Sequence, residues 1–96
     1  MIPRKAKRDA SEREIVTVLE QCGFSVVRMD KPTDLLVGFR KRAWLVECKS
    51  GTKGYGKGLN KNQAEFAETW RGPTVVVLHS ATDAMDWAVQ ISQEAA

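Results

Sequence analysis

The sequence predicts an α/β fold: a mixed four-stranded sheet flanked by helices in the order α-β-β-β-α-β-α. Three observations carry that expectation. Apolar residues recur at helical spacing in three segments, β-branched runs fill four others, and the short basic cluster Arg40-Lys41-Arg42 sits between two of those runs as a tight turn would. Three strands in succession form a meander, and a fourth that returns through a helix mixes parallel with antiparallel pairing.

Residues 1 to about 9 read as a basic arm, and 10 to 96 as a single domain. Ser11-Glu12-Arg13-Glu14 has the form of a capping box, in which hydroxyl and carboxylate each satisfy an orphan N–H at a helix start. Ile15, Val18, Leu19 and Cys22 follow on one helical face, and Gly23 supplies the left-handed residue that ends such helices, giving helix one over 11–22. "FSVVRM", 24–29, is the first strand, broken by Asp30-Lys31-Pro32-Thr33, and 34–39 and 43–49 are the second and third. Residues 50–60 carry four glycines and form a loop. Leu59, Gln63, Phe66, Ala67 and Trp70 share one face of a helix over 61–71, which Gly72-Pro73 stops. "TVVVLH", 74–79, is a buried strand, and Ser80 to Asp83 cap a last helix bearing Met85, Trp87, Ala88 and Ile91.

With 96 residues, 43% hydrophobic and 28% charged, the chain has the composition of one ordinary globule with a modest core. No apolar run approaches the roughly eighteen residues of a membrane span, and the basic N-terminus lacks the hydrophobic stretch of a signal peptide. Cys22 and Cys48 lie far apart, neither is in a C-x-x-C pair, and neither is near the lone His79, so the spacing predicts no zinc site and two reduced core thiols. His79, at a strand end, reads as structural.

Net charge is +3 with a pI near 9.1. Basic residues gather at Arg4, Lys5, Lys7 and Arg8, at Arg40, Lys41 and Arg42, and at Lys53, Lys57 and Lys61. Any one of these clusters is ordinary solvated surface; all of them on one face would mark a polyanion partner.

The chemistry-bearing residues stand where two paired strands end. Residues two apart in a strand share a face, so Glu47 and Lys49 project together while Trp44, Val46 and Cys48 project the other way. A two-residue turn at Arg40-Lys41 places Asp34 opposite Glu47, and one at Lys41-Arg42 places it opposite Lys49; either puts all three on one face. A three-residue loop would pair Asp34 with Cys48 and send it away. Two carboxylates and an ammonium so placed suit a hard cation such as Mg²⁺, a bound water made acidic by it, and phosphodiester hydrolysis. The bland alternative is a solvated, salt-bridged strand edge.

Two further polar residues bear on the choice. Glu12 is turned closer to the apolar stripe of helix one than Glu14 is; it is either an acid complementing the helix dipole or an extra ligand. Gln63 sits on an apolar stripe and needs a partner, either backbone at the core edge or a group in the site.

The ordered set of Glu12, Asp34 and Glu47-Cys48-Lys49 resembles the PD-(D/E)xK nuclease superfamily, and Gln63 behind a glycine-rich loop resembles its virus-type replication-repair nuclease branch. "SEREIVTVLEQCGFSVVR" is also similar to the opening of archaeal Holliday-junction resolvases. The resemblance spans roughly residues 11–80 and implies a restriction-endonuclease-like fold. It implies that Asp34, Glu47 and the backbone carbonyl of Cys48 hold Mg²⁺ or Mn²⁺, with Glu12 assisting. It further implies that Lys49 handles the attacking water and that Gln63 supports the site. The sequence departs from the family pattern at Thr33, which stands directly before the aspartate where the family has proline, with Pro32 one residue further back.

On this reading the partner is DNA, contacted by Arg40, Lys41, Arg42, Lys53, Lys57 and Lys61, with Tyr55 stacking on an exposed base. The substrate would be branched, flapped or junction DNA, and the protein cytoplasmic, of bacterial or phage type. A chain this small presents little surface to a duplex, which favours a homodimer. No membrane and no nucleotide cofactor is expected. "GTKGYGKG", 51–58, matches the start of a P-loop, but Gly58 replaces the Ser or Thr that would hold Mg²⁺. The competing function is a non-catalytic DNA-binding module on the same fold, which would keep salt-sensitive affinity without cutting.

Overall fold

The computed structural model describes residues 9–49 and 61–94. Its elements are α1 (Asp9–Gln21), β1 (Ser25–Arg28), β2 (Leu35–Phe39), β3 (Arg42–Cys48), α2 (Lys61–Thr69), β4 (Val76–Leu78) and α3 (Ala81–Gln93). They form the expected α/β arrangement: a mixed sheet in the order β1-β2-β3-β4, antiparallel through β3 and parallel between β3 and β4. No helix among the described residues is long and apolar enough to cross a membrane.

Helix α1 begins earlier than its sequence suggests. It is helical from Asp9, so Ser11 lies inside it instead of capping it. Of the basic arm, only Asp9 falls among the described residues. The other end is as expected: Gly23, at φ 92°, donates to the Glu20 carbonyl, and Phe24 donates to that of Leu19. That pair of bonds satisfies carbonyls that the last turn leaves open.

Alternation in the strands decides which residues meet the helices. Leu35 and Val37 pair with Val46 and Trp44, and this face meets Ile15 and Leu19 of α1 and Ala84, Ala88 and Ile91 of α3 in one core. The opposite face carries Val27, Leu36 and Leu45 side by side; the first two are exposed and Leu45 is buried. Helix α2 ends at Thr69, two residues short of the expected 71, and none of its residues is fully buried. The stripe of Gln63, Phe66 and Ala67 is therefore half-covered, with Phe66 stacked on the exposed Trp70 at 5.4 Å; Leu59 lies outside the described residues.

The turn between β2 and β3 is the two-residue one at Arg40-Lys41. Both residues adopt left-handed backbone, φ 54° and 67°, as a hairpin turn that follows the sheet's twist requires. For residues with a side chain this conformation costs roughly 1–2 kcal/mol each. Arginine contacts offset it. Arg40 Nη1 donates to the Ser92 carbonyl at 3.0 Å, in the last turn of α3, and Arg42 Nη1 pairs with Glu94 Oε1 at 2.9 Å. Each guanidinium also lies over a ring, Arg40 on Phe39 and Arg42 on Trp44.

Candidate metal centre

Choosing Arg40-Lys41 as the turn fixes the register at the other end of the hairpin. Phe39 faces Arg42 and Leu35 faces Val46, so Asp34, the next residue back, comes opposite Glu47. Its placement is held at three points. Met29 N–H donates to the Asp34 carbonyl at 2.7 Å, Cys48 N–H donates to Asp34 Oδ2 at 2.8 Å, and the hydroxyl of the buried Thr33 donates to the Leu35 carbonyl. Thr33, standing where the resembled family has proline, thus anchors the segment by a side-chain bond.

Glu47 is buried, and one of its oxygens, Oε2, lies 3.4 Å from Lys49 Nζ. Oε1 is buried with no hydrogen-bond partner among the described residues. An unsatisfied buried carboxylate oxygen is costly, and a cation is the group that satisfies it best. Loss of hydration on burial raises the Glu47 carboxyl above its ordinary value of 4.5; hydrogen bonding by Gln63 lowers it, the charge of Asp34 raises it, and Lys49 lowers it. Lys49 Nζ also donates to Gln63 Oε1 at 3.4 Å, so the first turn of α2 reaches the same ammonium. Gln63 thereby takes the second of its two expected roles, facing the site.

Glu12 is buried, unlike the exposed Glu14. One of its carboxylate oxygens, one from Asp34 and the Cys48 thiol lie within 4.8 Å of one another. The carboxylate of α1 therefore lies with Asp34 and the Cys48 thiol at the open end of the β2–β3 hairpin, where Glu47 stands across from Asp34. Lys49 N–H donates to the Leu78 carbonyl at 2.9 Å, tying the same end to β4.

Two participants escaped the sequence reading. Arg28, half-exposed at the end of β1, places Nε 3.5 Å from Glu12 Oε2. The available signal was its position: it closes β1 where the chain turns back toward Asp34. Cys48 packs against the core as expected, and its thiol, at the last residue of β3, also lies with the two carboxylates.

Among the described residues, the expected basic side chains stand away from this centre or at the start of α2. Arg40, Lys41 and Arg42 lie at the opposite end of the hairpin; five residues from Arg42 to Glu47 span roughly 17 Å at the rise of a strand. Arg40 and Arg42 are engaged with α3 there, and Lys41 is exposed. Lys61 is exposed at the start of α2, whereas Lys53, Tyr55 and Lys57 lie outside the described residues. His79 belongs to the cap of α3: its N–H donates to Asp83 Oδ2 at 2.8 Å, its ring Nδ1 is 3.2 Å from the same oxygen, and Asp83 N–H donates to the Ser80 hydroxyl.

No family model, curated protein or solved structure matches the chain.

Proposed function

We propose that the chain is a Mg²⁺-dependent DNA nuclease that hydrolyses phosphodiester bonds, cutting by DNA structure at branches, flaps or junctions. The observation that carries this reading is the placement of Asp34 opposite Glu47 across the hairpin, with a buried Glu47 Oε1 that has no donor among the described residues and the Lys49 ammonium 3.4 Å from its Oε2.

Asp34, Glu47 and Glu12 offer the oxygen donors that Mg²⁺ or Mn²⁺ prefers, and the Cys48 carbonyl is the further ligand the resemblance implies. When bound, the cation would acidify a water and neutralise charge building on the phosphate. The protein's own residues do the rest. Cys48 N–H orients the Asp34 carboxylate, and Gln63 and Glu47 hold the Lys49 ammonium from two sides. On this reading Lys49 orients the attacking water or passes on its proton, and these contacts support that role. Arg28 adds a cation at the rim, where a phosphate would approach.

DNA is the partner on this reading, a homodimer gives the small chain enough surface for it, and no nucleotide cofactor takes part. Incubating labelled linear, flapped and four-way DNA with the protein tests it. Cutting in Mg²⁺ and none in EDTA is expected, with preference for the branched forms. Salt-sensitive binding that never leads to cutting would assign the chain instead to the non-catalytic DNA-binding class.

A further inference from the structure

Sequence spacing predicts no zinc site, yet folding gathers a ligand set that spacing cannot reveal. The Cys48 thiol ends β3, Glu12 hangs from α1 and Asp34 precedes β2. One donor atom from each lies within 4.8 Å of the other two. Glu12 is buried, and Asp34 and Cys48 are half-buried, so the set is no loose surface cluster. A separate observation stands at the same end of the hairpin. Glu47, directly across the strands from Asp34, has a side chain only 7% exposed and, among the described residues, a buried Oε1 without a hydrogen-bond partner.

We propose that this centre has a second metal mode, in which the thiolate of Cys48 joins Glu12 and Asp34 to hold a thiophilic divalent cation such as Zn²⁺. The inference rests on the same carboxylates as the proposed nuclease and adds a sulfur ligand to them. Mg²⁺ takes hard oxygen ligands and leaves sulfur aside, whereas Zn²⁺ takes thiolate and carboxylate together in a tetrahedron. Donor atoms around Zn²⁺ stand about 3.5 Å apart, given bonds of roughly 2.0–2.3 Å, so the set closes with a movement on the order of 1 Å. Binding forms the sulfur–metal bond as the thiol proton leaves to solvent, with no change of oxidation state. Zn²⁺ held this way occupies Glu12 and Asp34, so trace zinc would oppose catalysis supported by Mg²⁺.

The test uses Cd²⁺, a thiophilic probe whose bond to thiolate gives an ultraviolet charge-transfer band. The full chain, freed of metal, is titrated as wild type, Cys22→Ser, Cys48→Ser and Asp34→Asn. Wild type and Cys22→Ser should develop the band and saturate at about one ion per chain. Cys48→Ser should lack the band, and Asp34→Asn should bind at least about tenfold more weakly. A wild type without the band, or a band that survives Cys48→Ser and disappears in Cys22→Ser, overturns the proposal. Should Cys48→Ser fail to fold, alkylation of the wild type decides. Zn²⁺ and not Mg²⁺ must slow modification of Cys48 relative to Cys22, and equal slowing by both ions overturns the sulfur ligand. The two readings separate cleanly. Cutting in Mg²⁺ without the thiolate band defeats this inference alone, whereas the band in a protein that cuts no DNA supports it and defeats the nuclease.

Discussion

Cys48 N–H donates to Asp34 Oδ2 at 2.8 Å, so the backbone of the strand that carries one candidate ligand orients the other. Asparagine retains an oxygen able to accept that bond. Asp34→Asn should therefore keep the far-ultraviolet circular dichroism of the wild type and much of its DNA affinity, while cutting in Mg²⁺ falls to background. Lys49→Ala should cost about 10²–10⁴-fold in rate, the range for a lost proton-handling group. Wild-type rates in either variant would remove these side chains from the chemistry.

Glu47 links stability to pH. Its carboxyl is raised by burial, so the folded state favours the protonated form. The stability this contributes is fully present below the ordinary value of 4.5 and is lost as pH climbs through the raised folded value. Glu47→Gln should accordingly melt a few degrees above the metal-free wild type at neutral pH, with the gap closing below about pH 4. The same variant should not cut DNA. Thermal melts across pH check the first claim; a variant less stable than wild type at neutral pH would contradict it.

The Arg28–Glu12 pair places a half-exposed cation beside a buried carboxylate. Arg28→Gln should lower the stability of the metal-free protein by up to about 1 kcal/mol, the ceiling for a half-exposed ion pair. Adding Mg²⁺ should shrink that deficit, since a bound cation takes over the compensation of Glu12. Denaturant curves with and without Mg²⁺ would show it, and a deficit indifferent to the metal would separate Arg28 from the centre.

Lys41 pays for its place in the turn with a left-handed backbone, φ 67°, that glycine adopts freely. Lys41→Gly should raise stability by roughly 0.5–1 kcal/mol, relief of strain outweighing the added freedom of the unfolded chain. Because the turn lies at the far end of the hairpin, cutting at the centre should change little. A large drop in DNA affinity would instead restore Lys41 to the binding surface.

How much of this was legible in the sequence varies with the kind of contact. Strand period put Glu47 and Lys49 on one face, and either register of a two-residue turn brought Asp34 to them; only the turn's length, which a three-residue loop would have changed, had to come from the structure. The caps at Gly23 and Ser80 were equally local. Contacts between elements were less accessible. The stripe on α2 gave a face without saying how deeply it is covered, and no residue of that helix is buried. Nothing local places Arg28 beside Glu12 or the Cys48 thiol beside two acids, because each pairing depends on how α1 lies across the sheet edge. The cluster at 40–42 shows a contact its charge alone does not announce: Arg40 and Arg42 fasten the hairpin to the end of α3.

Glu47 lies in β3 and Asp34 immediately precedes β2, the two interior strands, and β1 and β4, of four and three residues, are the edges. Fraying takes the borders of a sheet before its middle. The acids should accordingly be among the last groups to part company when the domain melts, so that slow amide exchange along β2 and β3 and the ability to hold a cation vanish at the same denaturant concentration.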